Sequence, residues 1–128
     1  MNMMIKTILA TFMLSSFSIA SADIVQVWLC KLHDGKTEAD VMKASSAWLA
    51  AHKSLKGGDE LKAYHNIPLA ANAGDGDFNF VMILPDVETW GVYMGGHEEG
   101  SAASESDNAW NEVASCKGST LWESVKVE

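Results

Sequence analysis

The first 22 residues take themselves out of the fold. A single Lys6, an apolar run from Thr7 to Ala20 and the small-residue end Ala20-Ser21-Ala22 have the layout of a secretory signal peptide cut before Asp23. The run is short, interrupted by serines and followed by no second apolar span, so it predicts a cleaved leader and not a membrane anchor. The residue immediately after the cut is Asp23 and not cysteine, which argues against a lipoprotein. The mature chain is therefore expected outside the cytoplasm, periplasmic or extracellular, with no membrane attachment after cleavage.

Residues 23–128 suit one compact domain with a single modest core. All 17 acidic residues lie in that stretch and only Lys6 is lost with the leader, so the net charge of −8 becomes −9. There is no arginine anywhere in the chain, which removes the twin-arginine export route and the bidentate fork best suited to phosphates and base edges. Nucleic acid and anionic lipid surfaces are poor partners for such a protein, because both demand neutralisation of negative charge. In an exported chain the two cysteines, Cys30 and Cys116, read as a disulfide; they lack the close spacing of a redox or metal C-x-x-C pair.

Ile24 to Leu32 alternates and is rich in β-formers, predicting a strand that ends at His33-Asp34-Gly35. Thr37 and Asp40 form a capping-box pattern that opens a helix to about Leu55, stopped by Gly57-Gly58. Val41, Ala44, Trp48 and Leu55 share one face of it, together with Ser45 and His52. Leu61 to about Leu69 predicts a second strand, with Pro68 marking an edge or an end. After a turn at Ala73-Gly74-Asp75-Gly76, the apolar stretch Phe78 to Leu84 predicts a central strand closed by Pro85-Asp86. A second helix starts near Val87, weakens at Gly95-Gly96, loops through the Ser-rich stretch from Gly100 to Asp107 and resumes from Asn108 to Ser115. Gly118 breaks it, and Thr120 to Val127 predicts the last strand.

The order βαββαβ predicts an α+β, ferredoxin-like fold: a four-stranded antiparallel sheet in the order 4-1-3-2 with two helices on one face. In that topology the first and last strands are antiparallel neighbours, which brings Cys30 and Cys116 together.

With that order, Trp90 and Tyr93 on the second helix, the segment Ala109-Trp110-Asn111-Glu112 and a last strand reading Ser119-Thr120-Leu121-Trp122-Glu123, the chain resembles the dimeric α/β-barrel superfamily, which includes the antibiotic biosynthesis monooxygenase-like domains. The resemblance spans nearly all of residues 23–128. It implies a homodimer that pairs two sheets across a two-fold axis, with a ligand cleft between sheet and helices. The physical pattern agrees, since strands one and three carry apolar side chains on both faces and the helices can cover only one.

Members of that superfamily include cofactor-free oxygenases, haem-degrading enzymes and domains of unknown role, so the fold selects no reaction. Haem-degrading members use an asparagine on strand one with a tryptophan and a histidine on the second helix; here strand one carries Gln26 instead, and Trp90 and His97 are closer together than that pattern wants. The candidate ligand-binding residues pointing into the cleft are His52, Ser45 and Trp48 on the first helix, Asn79 on the third strand, and Trp90, Tyr93 and His97 on the second helix, with one of Tyr64, His65 and Asn66 from the second strand. No nucleophile elbow, phosphate loop or H-E-x-x-H occurs, so no catalytic residue is assigned. Met94 with His97 is insufficient to assign a metal, and Asp75, Asp77 and Asn79 lack the Gly and Glu of a calcium loop.

The leading expectation is an exported small-molecule-binding domain whose cleft takes an apolar or aromatic ligand, without a cofactor. One alternative is a cofactor-independent monooxygenase or a haem-binding or haem-degrading enzyme, with His52 or His97 as base or axial ligand. Another is a non-catalytic interaction or structural protein whose cleft is filled by Trp48 and Trp90.

Overall fold

The structure, a computed structural model, describes residues 22–70, 74 and 76–128. The leader up to residue 21, and Ala73 and Asp75 of the expected turn, lie outside the described residues. Seven elements follow one another: β1 (Asp23–Leu32), α1 (Glu38–Lys53), β2 (Lys62–Asn66), β3 (Asp77–Leu84), α2 (Val87–Gly95), α3 (Ala102–Asn111) and β4 (Ala114–Ser124). The four strands form one antiparallel sheet in the order β2-β3-β1-β4, the expected order, and the fold is ferredoxin-like.

Local chemistry explains most boundaries. Thr37 is the N-cap of α1 and forms a full capping box with Asp40: the Thr37 hydroxyl accepts the Asp40 backbone N–H at 3.3 Å, and the Asp40 carboxylate accepts the Thr37 backbone N–H at 2.8 Å. Such a cap is worth about 1 kcal/mol. Asp86 caps α2 by accepting the Thr89 N–H at 2.7 Å. β2 stops at Asn66, two residues before Pro68, which cannot donate to a ladder.

Two expectations are corrected. The Ser-rich stretch assigned to a loop is helical from Ala102, because Ser101 caps it by accepting the Ser104 N–H at 3.2 Å, and Ala103 and Trp110, seven residues apart, bury one face. The helical layer thus has three helices where two were expected. The last strand begins at Ala114 and runs through Gly118 instead of starting after it. A bulge accommodates this: the register with β1 shifts between Trp28 and Leu29, and Gly118 takes the unpaired place with φ +61°, where glycine is at home.

The register sorts the side chains. Cys30 pairs with Phe78, Trp28 with Phe80, Gln26 with Met82 and Ile24 with Leu84, and these face the helices. They form the core with Val41, Trp48, Tyr93 and Trp110, each fully buried large apolar side chain contributing roughly 1.5–3 kcal/mol. The opposite face carries Val25, Val27 and Leu29 beside Ile83, Val81 and Asn79, flanked by Tyr64 on β2 and Trp122 on β4. Leu29, Tyr64 and Trp122 are 58%, 50% and 60% exposed there, an apolar face that this chain's own helices do not reach. Cys30 and Cys116 are directly paired across β1 and β4 and form the expected disulfide.

Candidate functional site

Three helices converge on one histidine. Positions 41, 45, 48 and 52 of α1 are its buried residues, so the helix turns Trp48 and His52 inward on the same stripe. The two rings stack, with centroids 3.9 Å apart. The turn after α1 lies tight against α2: a Cβ on Gly57 would come within 3.0 Å of the Tyr93 backbone nitrogen and 3.1 Å of the Thr89 carbonyl oxygen, and the φ of +81° also demands glycine. That close approach sets Tyr93 beside His52. From α3, Asp107 reaches back toward both α1 rings.

The hydrogen bonds define the proton positions. Asp107 Oδ1 accepts from Trp48 Nε1–H at 2.7 Å and from His52 Nε2 at 3.1 Å. A carboxylate can only accept, so the His52 proton sits on Nε2, and Nδ1 accepts the Tyr93 hydroxyl at 2.7 Å. His52 and Tyr93 are each 1% exposed. Partial burial raises the Asp107 pKa, but the hydrogen bonds from His52 and Trp48 and the potential of His52 and His97 outweigh it, leaving the carboxyl below its ordinary 3.8. Burial, and then the Asp107 charge, push the Tyr93 phenol well above its ordinary 10.0, so it keeps its proton. His97, at the end of α2, is exposed; its Nδ1 donates to the Tyr93 carbonyl oxygen at 3.1 Å and its ring centroid is 5.1 Å from that of His52.

A second network fills the rest of the interior. Trp110 Nε1–H donates to Ser45 Oγ at 2.8 Å, and Ser45 Oγ bonds to His65 Nε2 at 2.8 Å. His65 is therefore the member of Tyr64, His65 and Asn66 that faces the helices. Burial lowers its pKa below the ordinary 6.5 against the opposing pull of Glu38, which favours the neutral ring. Trp90 Nε1–H donates to Gln26 Oε1 at 3.1 Å, and Gln26 Nε2 donates to Ser119 Oγ at 3.2 Å, tying α2 to β1 and β4. Among the described residues no buried side-chain nitrogen or oxygen lacks a partner.

A pocket of about 410 Å³ opens at the edge of the interior between α1 and the sheet, lined by Glu38, Val41, His65 and Phe78, among others, while the space between sheet and helices is filled around His52. Ser45, Trp48, His52 and Tyr93 lie in it with their polar atoms bonded to protein. Trp90 is half-buried, and Met94 is 42% exposed. Asn79 is corrected: Phe78 and Phe80 face the helices, so strand alternation turns Asn79 to the opposite face of the sheet. There it joins an open groove of about 510 Å³ lined by Leu29, Lys31, Asn66, Ile67, Pro68, Phe78 and Lys117, among others.

No family and no curated protein matches this sequence. Among solved structures, the chain is similar to SnoaB, a cofactor-independent oxygenase from Streptomyces nogalater, with a TM-score of 0.56 and 11% identity over 83% of this chain and 96% of that one. It is also similar to a dimeric ferredoxin-like protein of unknown function from Thermobifida fusca, with a TM-score of 0.53 and 15% identity over 80% and 92% of the two chains. The shared feature is the fold. The ferredoxin-like fold read from the sequence is the one these proteins have, and identities this low carry no residue roles across.

Asp107 was missed because the stretch containing it read as a loop. Its pairing with His52 spans 55 positions, and the one available signal was the seven-residue spacing of Ala103 and Trp110. Among the described residues no helix is long and apolar enough to cross a membrane.

Proposed function

We propose that the protein is an exported, homodimeric small-molecule-binding domain that takes an apolar or aromatic ligand in the groove on the outer face of its sheet. The observation that carries this reading is the groove itself. Its volume of about 510 Å³ suits a small organic molecule, and its make-up follows the pattern of ligand sites: apolar walls from Leu29, Ile67 and Pro68 with polar groups, among them Asn66, Asn79, Asp77, Lys31 and Lys117, to orient what binds. It adjoins the apolar row of Val25, Val27, Ile83 and Trp122, of which Trp122 is 60% exposed and the others half-buried. A second copy laid on that row by two-fold symmetry buries it and walls the groove on its open side. Support for the dimer also comes from the Thermobifida fusca protein of like fold, which is dimeric.

The oxygenase alternative has less to rest on. His52 and Tyr93, two groups suited to proton transfer, are bonded to each other at 2.7 Å and are each 1% exposed, so their polar atoms are engaged with protein. In this reading Ser45, Trp48, His52, Trp90 and Tyr93 hold the helices to the sheet, and Asn79 is the expected ligand contact that keeps that role.

The test uses an aromatic anion, 1-anilinonaphthalene-8-sulfonate, titrated into the purified mature protein. Saturable binding of one probe per subunit is expected, weakened at least about tenfold by Asn79→Trp, which fills the groove. Sedimentation of the same variant checks that assembly is unchanged. Equal affinity in wild type and Asn79→Trp contradicts the groove assignment.

A further inference from the structure

The surface end of the His52 network is arranged as more than a structural tie. One ligand atom from each of His52, His97 and Asp107 lies within 4.8 Å of the other two. Both histidines are held through Nδ1 by a single residue: Tyr93 bonds His52 Nδ1 with its hydroxyl at 2.7 Å and His97 Nδ1 with its backbone carbonyl at 3.1 Å. Fixing Nδ1 orients each ring and leaves Nε2 as the ligating atom, which is how outer partners prepare metal-binding histidines. The third group, Asp107, has its side chain 40% exposed, so the site opens to solvent.

The geometry points to a solvent-accessible binding site for a borderline divalent transition ion, zinc above all, formed by His52 Nε2, His97 Nε2 and the Asp107 carboxylate, with one position left for water. Two imidazoles and a carboxylate are a nitrogen and oxygen donor set that zinc accepts in tetrahedral form. Ligand atoms about 2 Å from a tetrahedral ion lie roughly 3.3 Å from each other, and His52 Nε2 and Asp107 Oδ1 already stand 3.1 Å apart. His97 completes the set by a small side-chain movement, which its exposed place beside Gly95 and Gly96 permits. On binding, the His52 proton passes from Nε2 to Nδ1, and the Tyr93 hydroxyl changes from donor to acceptor. Met94, the residue after Tyr93, takes no part. The site lies on the helical side of the sheet and the proposed groove on the other, so the two readings stand or fall separately.

Calorimetric titration of zinc chloride into the metal-free mature protein tests this, beside NMR of the imidazole resonances. The expected result is one zinc per chain, with affinity reduced at least about tenfold by His97→Ala and by Asp107→Asn, each loss typical of a removed ligand. Resonances of His52 and His97 shift, while those of His33 and His65 stay in place. His97→Ala removes an exposed side chain and keeps the fold, so the test does not depend on the buried position. Equal affinity in wild type and His97→Ala, shifts confined to His33 or His65, or no heat at millimolar zinc each overturn the site.

Discussion

Replacing both Cys30 and Cys116 by alanine is expected to lower the unfolding free energy by about 4 to 5 kcal/mol. The two cysteines are 86 positions apart, so their bond closes most of the mature chain into one loop, and the loss arises mainly from the freedom that the unfolded chain regains. Chemical denaturation at fixed protein concentration measures it, fixed because association also enters the apparent stability. The native sheet order should survive, since β1 pairs with β4 from Asp23 to Leu32 and not only at the cysteines. A loss below about 1 kcal/mol would show that the unfolded state is already constrained without the bond.

Asp107→Ala is expected to cost about 2 to 3 kcal/mol, because it strands two donors at once. Trp48 Nε1–H and His52 Nε2–H both end on Asp107 Oδ1, and no other acceptor is bonded to either. Water reaches the exposed side of the carboxylate and limits the loss. Asp107→Asn keeps an accepting oxygen and should fall within about 1 kcal/mol of wild type. The two variants also separate on pH. Because the Asp107 carboxyl lies below its ordinary 3.8 in the folded protein, its contribution is complete above that value and is lost as pH falls through the folded one. Wild type should therefore lose stability on acidification over a range in which Asp107→Asn does not. Urea titrations at neutral pH and near pH 3 decide it; an Asp107→Ala loss no larger than that of Asp107→Asn contradicts the network.

Much of the first half of the molecule was legible in residue spacing. Thr37 and Asp40 marked the start of α1, Gly57-Gly58 its end, and the stripe from Val41 through Trp48 gave His52 its inward direction, all properties of contiguous residues. Strand order followed from the alternation of elements and agreed with the cysteines. The failures came where distant or opposing cues decide. Serine favours caps and turns, so a helix built from Ser101 to Asn111 hid behind its composition until packing of Ala103 and Trp110 is considered. Gly118 breaks a helix but also serves a bulge, and only pairing with β1 distinguishes the two. Asn79 was assigned to the wrong face although Phe78 and Phe80 on either side of it already implied the other. The filling of the interior around His52 was not legible at all. It depends on Trp48, Tyr93 and Trp110 arriving together from three helices, each bonding a polar partner on another element.

In the proposed dimer, the outer face of the sheet is where a second copy of the chain sits and where the ligand groove is completed. Sedimentation equilibrium of the mature protein tests it most directly, run on wild type beside a Leu29→Glu, Trp122→Glu double variant that places charge on two of the most exposed apolar positions of that face. Twice the chain mass is expected for wild type at micromolar concentration, and the single-chain mass for the variant with its circular dichroism unchanged. A single-chain mass for wild type, or a dimer that the two glutamates leave intact, would contradict it.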